Sequence, residues 1–485
     1  MPHRDLREYL SALEAAGLLR RVECEVDPEL EAAEILRRVM YSRGPAVLFE
    51  RVRGFPGWRI AGNIFGTPAH FRVAFGVDRL EEIGERTASL LSRPPPMGLG
   101  EKVRALGEAV SLARCVPKRV PGGPVKEVRL DPLDGGFDLI PALKTWPKDA
   151  GRFLTFPLVF SRDPETGVVD VGVYRMQIYD RETAGMHWHV HKRGAMHLWR
   201  ASRSGSRELE VAVVIGADPA TTFAGVAPVP HPMDKLLFAG LVRGEGVEVV
   251  RADTCDIYVP ARAEVVLEGY VRTDELRVEG PFGDHTGYYT PPEPYPVFHL
   301  ERITMRRDPI YHATVVGRPP LEDAQIGKAI ERVFLPLVRV IIPEVVDLNL
   351  PEYGLFQGVA IVSIAKRYPG QAKKVMMGLW GLGQFSLTKV IVVVDEDVDV
   401  HDLNQVLYAV ATCVDPARDV LVVEGAPTDA LDHAAPSVPY GSKLGIDATR
   451  KLPEEMGGRE WPEPVEPDPE TVRLVDERWP EYGLN

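Results

Sequence analysis

The sequence predicts a multidomain α/β (α+β) protein: an N-terminal α/β domain over 1–115, a central β domain over 125–320 and a C-terminal α/β domain with a tail over 321–485. Three observations predict it. A chain of 485 residues with 45% apolar and 26% charged composition is long enough for two or three globular cores. Short alternating strands crowd the middle third, whereas helices and strands alternate at both ends. The Pro/Gly-rich segment "VPKRVPGGP" at 116–124 separates the first two regimes.

In the first region "MPHRDLREYL" is charged and patterned for a helix, which excludes a signal peptide from the reading. "DPELEAAEILRRVM" reads as a second helix, with Asp27 as its cap, Pro28 at its first position, early acids, and Arg37 and Arg38 late. "AVLFERV" is a strand. The central region supplies "LTFPLVFSRD", the turn "PETG", "VVDVGVYRMQIYD", "ELEVAVVIG", "AEVVLEGYV" and "HLERITMRRD", a mostly antiparallel pattern. The helix "AQIGKAIERVFLPLVRVII" then leads into "VAIVSIAK", "QAKKVMMGLWGL", "KVIVVVDED", "NQVLYAVATC" and "DVLVVEG". The acidic, Pro-rich tail from 452 reads as a surface wrap.

A net charge of -13 with no Lys/Arg run excludes nucleic acid and anionic membrane as the main partner. No apolar run approaches the ~20 residues of a membrane span, so the expected location is cytoplasmic. Cys24, Cys115, Cys255 and Cys413 are widely spaced and read as buried thiols rather than a zinc site or a disulfide framework. Four asparagines and six glutamines point to a hot-living source or a GC-rich genome.

Chemistry concentrates in three stretches. "RVEGPFGDHTGYYT" brackets Gly280-Pro281-Phe282-Gly283 with Glu279 and Asp284. Extended, the two acids would lie roughly 17 Å apart; a turn brings them together, either for acid/base work or to cap backbone amides. His285, Tyr288 and Tyr289 follow. "VVDVGVYRMQIYD" sets Arg175 on a strand, sharing a face with Val173 and Gln177, as a buried ion pair or as a fork for a substrate carboxylate. In "HWHVHKRGAMH", His187, His189 and His191 alternate as on one strand face. They read as zinc ligands, as an anion-binding wall with Lys192 and Arg193, or as structural histidines. P-loop, GxGxxG, GxSxG and HExxH patterns are absent.

"EGPFGDHTGYY" with "DVGVYRMQ", and "GSKLGIDATRK" at 441–451, resembles the UbiD-type decarboxylase family along nearly the whole chain. The resemblance implies an N-terminal α/β domain, a split β-barrel that binds prenylated FMN, and a C-terminal α/β domain used in homo-oligomerisation, as dimer or hexamer. It implies non-oxidative decarboxylation of an α,β-unsaturated or aromatic acid. Arg175, Glu279 and Asp284 fall on the family's catalytic triad, with Asp284 as a proton donor kept protonated by a dry pocket. Val173, Tyr174, Arg175, His187, Trp188, His189, Lys192 and Arg193 fall on its cofactor contacts, although "HKRG" replaces the usual "HRGG". A divalent ion such as Mn2+, with K+ nearby, is implied by the family's Asn, His and Glu ligands. Here those positions hold Asp170, His191 and Lys235, with Asp234 beside it. Either Asp234 ligates the ion or Lys235, paired with Asp170, replaces it. A flavin prenyltransferase must supply the cofactor. The implied substrate is trans-anhydromevalonate 5-phosphate, decarboxylated to isopentenyl phosphate in an archaeal-type mevalonate pathway. The alternatives are 4-hydroxy-3-polyprenylbenzoate and a non-catalytic flavin-binding assembly subunit.

Overall fold

The computed structural model describes residues 3–91, 107, 110, 112–230, 233–437 and 439–484. Near the N-terminus, Asp5 caps the helix Leu6–Ala15 by accepting from the Glu8 N–H at 2.9 Å, the role a short acid plays best. Four strands form the first sheet in the order Leu19–Val26, Ala46–Val52, Arg59–Gly62 and Ile310–His312. The last of these comes from far along the chain and ties the central region to the first.

The second helix differs from expectation. It runs Glu31–Tyr41 and starts after Leu30, whose φ of 67° breaks the helical path. Asp27 therefore does not cap it: its carboxylate accepts from the Glu29 N–H at 2.8 Å, inside the preceding turn.

The central region is built on a seven-stranded sheet. Its spine is the long antiparallel pair Val265–Glu279 and Glu293–Met305, whose outermost paired residues are Glu279 and Glu293. Glu208–Ile215, Leu158–Arg162 and Val169–Val173 continue the sheet on one side. The Pro/Gly connection is not merely a linker, since Lys118–Arg119 pairs in parallel with Glu248–Arg251.

A third unit has a five-stranded sheet ordered Val345–Asn349, Val359–Ile364, Val390–Asp395, Tyr440–Asp447 and Val420–Pro427. The helices Glu322–Ile341, Gln371–Trp380 and Leu403–Cys413 accompany it. The "GSKLGIDATRK" motif forms one of its strands. There Lys443 donates to the carbonyls of Ser386 and Thr388, and Lys451 to those of Asp447 and Thr449, closing loop ends that water would otherwise solvate. The tail is tied to this unit at its start, where Lys366 meets Glu455 at 2.6 Å, while its helix Pro469–Arg478 buries none of its residues. Cys115 and Cys255 are buried, but Cys24 is exposed and Cys413 half-buried. No helix among the described residues is long and apolar enough to cross a membrane.

Candidate active site

The 280–292 segment joins the two longest strands of the central sheet, so whatever it carries is held at a rigid tip. It folds back as a miniature hairpin in which Phe282–Gly283 pairs with Tyr289–Thr290. Gly280 takes a φ of 96°, open to glycine at little cost. Gly283 passes so close to Trp146 that a Cβ would lie 2.2 Å from the indole Cδ1. Asp149 fixes this approach, accepting from the N–H groups of Gly283 at 2.8 Å and Trp146 at 2.8 Å. Gln177 accepts from the Gly280 N–H at 2.7 Å.

Glu279 and Asp284 are thereby folded onto one arginine. Arg175 donates from Nε to Glu279 Oε1 at 3.1 Å, from Nη1 to Asp284 Oδ2, and from Nη2 to Thr290 Oγ1 at 3.1 Å. Its guanidinium carbon lies 4.5 Å from the centre of the Phe282 ring. Arg175 sits in the gap between Val169–Val173 and Met176–Gln177, not on a continuous strand. Leaving the ladder there lets the side chain reach across to residues more than a hundred positions away.

Burial alone would raise both carboxylates. At Glu279 it is overcome by Arg175 and by His187, whose Nδ1 meets Oε2. At Asp284 it is overcome by Arg175 and by His285, and the carboxyl is held well below the usual range. The expectation that a dry pocket keeps Asp284 protonated is thus corrected: dryness is present, but the adjacent cations win. His285 donates its backbone N–H to Asp284 Oδ1 at 2.7 Å, and its Nδ1 lies 3.0 Å from the same oxygen.

The histidine string is not a strand. After Thr183–Gly185 it runs without ladder pairing into the helix Arg193–Arg203. It nonetheless gathers the side chains: His187 Nε2 and His189 Nε2 are 2.6 Å apart, and the rings of His189 and His191 lie 5.6 Å apart. Burial, reinforced by neighbouring cations, pushes His189 down to about 2 and His191 to about 4, so both are neutral. Tyr295 packs against His187 with ring centres 4.3 Å apart. Tyr174 meets Trp188 edge-on at 6.2 Å, and the buried Trp188 Nε1 has no hydrogen-bond partner.

The metal positions do not assemble a ligand set. Asp170 is paired with Arg193, Nη1 to Oδ1 at 2.7 Å, rather than with Lys235 as expected. Asp234 caps the helix Lys235–Arg243 by accepting from the Leu236 N–H at 2.7 Å. Lys235 is buried and donates to the carbonyls of Val171 at 2.6 Å and Gly225 at 3.1 Å; burial lowers it to about 8. No cluster of three or more His, Cys, Asp or Glu among the described residues is arranged to hold a metal.

A separate cleft of about 410 Å³ near Arg119, Lys126 and Tyr258 is unconnected with these groups, and its Lys126 and Arg129 are already paired with Asp253. Sequence reading missed Asp149, Thr290 and Tyr295. They lie outside the two-acid stretch or look like ordinary turn and strand residues, and only the hairpin's folding makes them neighbours.

Fold and site together define a multidomain α/β enzyme centred on a buried arginine that holds two acids. The chain belongs to the UbiD family. Its N-terminal, Rift-related and C-terminal domains, described as those of 3-octaprenyl-4-hydroxybenzoate carboxy-lyase, match residues 10–87, 118–319 and 324–448. It is therefore a carboxy-lyase of that family. Proteins of Aeropyrum pernix and Archaeoglobus fulgidus are 56% and 52% identical to it over 100% and 99% of both chains. The closed form of vanillic acid decarboxylase from Sedimentibacter hydroxybenzoicus is 29% identical, with a TM-score of 0.86 over 100% of both chains. HmfF of Pelotomaculum thermopropionicum, solved in complex with FMN, is 30% identical, with a TM-score of 0.78 over 97% of this chain and 99% of that one.

Proposed function

We propose that this chain uses prenylated FMN to decarboxylate an α,β-unsaturated acid, and that its substrate is trans-anhydromevalonate 5-phosphate, giving isopentenyl phosphate and CO2. The observation that carries the chemistry is the cluster of Arg175, Glu279 and Asp284 at the hairpin tip. Loss of CO2 from an sp2 carbon leaves an electron pair that no side chain can accept, and the flavin supplies that electron sink when bound.

The chain's own groups do the rest. Arg175 offers a planar fork to the substrate carboxylate. Glu279 holds Arg175 in place through Nε, and His187 braces Glu279. Asp284 delivers the proton to the carbon that loses CO2. Val173, Tyr174, Trp188 and His189 line the flavin side, where the unpartnered indole N–H of Trp188 supports a hydrogen-bonding ligand. The start of the helix Arg193–Arg203 has no side-chain cap and carries Lys192 and Arg193, a setting that favours the flavin phosphate.

We assign the charge-neutralising role of a divalent ion to Lys235 and Arg193, consistent with the cation at the Glu position and with Asp170 spent on Arg193. FMN affinity of the wild-type chain is then insensitive to EDTA, whereas Lys235→Glu makes it manganese-dependent. One manganese per wild-type chain, removed together with flavin, overturns this assignment.

Archaeal relatives above half identity support the anhydromevalonate substrate; His187, His189 and Arg193, the groups expected to meet a substrate phosphate, are engaged elsewhere or neutral and lend it no support. The carboxy-lyase description of the matching domains favours 4-hydroxy-3-polyprenylbenzoate as the second reading. The intact cluster argues against a non-catalytic subunit. Cytoplasmic location, a homo-oligomer and supply by a flavin prenyltransferase belong to the same reading.

Cofactor-loaded protein is to be assayed on trans-anhydromevalonate 5-phosphate and on a 4-hydroxy-3-prenylbenzoate, following CO2 and product by mass spectrometry. Isopentenyl phosphate is expected, and turnover of the aromatic acid alone would reassign the substrate. Asp284→Asn should abolish turnover and keep the flavin.

A further inference from the structure

Asp284 poses a problem for its own role. Non-oxidative decarboxylation turns R–CO2⁻ and one H⁺ into R–H and CO2, so each turnover consumes a proton. Asp284 is an anion here, because Arg175 and His285 outweigh the burial that would otherwise protonate it. The proton it is to deliver must be stored beside it and replaced after every cycle.

The neighbour that can do both is His285. Its backbone N–H and its Nδ1 both address Asp284 Oδ1, at 2.7 and 3.0 Å. The two contacts hold the ring against a single carboxylate oxygen. The ring packs 5.1 Å from Phe356, and its side chain is only 12% exposed. Asp323, in the helix Glu322–Ile341, and Asp429, in the loop after Val420–Pro427, act on it electrostatically. Next to it in sequence, Thr286 Oγ1 lies 3.0 Å from His433 Nε2. The charged groups with the largest effect on the imidazole are three acids, Asp284, Asp323 and Asp429. Burial opposes its protonation, but those acids outweigh burial and hold it above the ordinary imidazole value of 6.5.

We propose that His285 is the proton reserve of the site: its imidazolium passes the Nδ1 proton to Asp284 Oδ1 in each turnover, and the Nδ1 so vacated is reprotonated before the next. The proposal rests on the reading of Asp284 as proton donor. In the step, the His285 N–H bond breaks as an Asp284 O–H bond forms. That O–H then breaks as the product C–H forms. The neutral imidazole recovers its proton from solvent, so one proton enters for each CO2 that leaves. A substrate carboxylate drawn to Arg175 sets the timing, because it competes for the guanidinium that keeps Asp284 ionised. Asp323 acts on the imidazole through its charge, which favours the protonated ring.

His285 acts through Asp284 and is a positioning and relay residue. His285→Asn keeps an N–H donor near Oδ1 but has no titratable proton. In loaded enzyme its kcat is expected to fall at least tenfold with KM within twofold, in line with the ~10²-fold or more that positioned proton transfer contributes. Wild-type kcat is expected to decline as pH rises through the His285 pKa, above 6.5, and the variant to lack that limb. An independent readout needs no cofactor. In chain labelled with 15N-histidine, the resonance absent from His285→Asn should titrate above 6.5, and Asp323→Asn should move it down. A wild-type-like kcat and pH profile in His285→Asn, or a His285 pKa that Asp323→Asn leaves in place, overturns the relay. Asp284→Asn separates the two claims: retained turnover overturns the donor reading itself, whereas a dead Asp284→Asn beside a fully active His285→Asn overturns the relay alone.

Discussion

Replacing Arg175 by leucine tests whether one guanidinium is what permits two acids to sit ionised in the same dry pocket. The substitution removes three hydrogen bonds and leaves Glu279 and Asp284, with side chains 0% and 9% exposed, facing each other without their shared cation. Breaking a buried pair by deleting one partner costs about 3–5 kcal/mol, because the remaining charge is neither solvated nor paired. The carboxylates can escape part of that cost by taking up protons, which gives the effect a pH signature. In the wild type the folded-state values are depressed, so the stabilisation is present above the unfolded values of roughly 4 and lost as pH falls through the folded ones. Without Arg175, burial is opposed only by His187 and His285 and the folded values rise. Stability is then greatest below about pH 4 and falls as pH climbs through the raised values. The gap between wild type and variant should therefore be widest near pH 8, at about 3–5 kcal/mol, and shrink toward pH 5. Urea unfolding of the cofactor-free chain at about pH 5, 6.5 and 8, followed by tryptophan fluorescence, measures it. A gap flat across that range, or below about 1 kcal/mol as for an exposed pair, would refute the account of a buried, cation-dependent dyad.

Three further outcomes follow from the same geometry. Gly283→Ala puts a methyl 2.2 Å from Trp146 Cδ1, an indole pinned by its own bond to the Val316 carbonyl at 2.9 Å. It should cost about 1–3 kcal/mol by overpacking and abolish turnover by displacing the hairpin; an active variant with an unchanged urea midpoint would remove Trp146 as the constraint. Thr290→Val deletes the hydroxyl oxygen that accepts from Arg175 Nη2, a bond worth about 1 kcal/mol, so kcat/KM should fall about fivefold, with steady-state kinetics as the check. Cys255, which burial pushes up to about 12, should resist a thiol reagent at pH 8 until the chain is unfolded, whereas exposed Cys24 reacts at once; mass mapping of the labelled peptides distinguishes them.

What the sequence could and could not disclose follows from the range of the interactions involved. Local pattern was enough for the strands of the middle region and for the alternation at the end, because strand period and helix signals are written in neighbouring residues. It failed where one residue overrides the pattern. Leu30 at positive φ cancels an otherwise sound cap at Asp27, and the histidine string alternates as a strand does while forming no ladder. The pairing of Glu279 with Asp284 was legible because a Gly/Pro turn lies between them. The charge on Asp284 was not. It depends on Arg175, 109 positions earlier, and on the angle at which His285 is turned back onto the same carboxylate. A stretch of fourteen residues can show that two acids meet but not which cation meets them. The charge state of an acid is a property of the assembled pocket, and here the assembly reverses what burial alone would dictate. That reversal changes the chemical question from how Asp284 keeps its proton to where the proton waits, and the imidazole 3.0 Å away is the group whose acidic neighbours favour its protonated form.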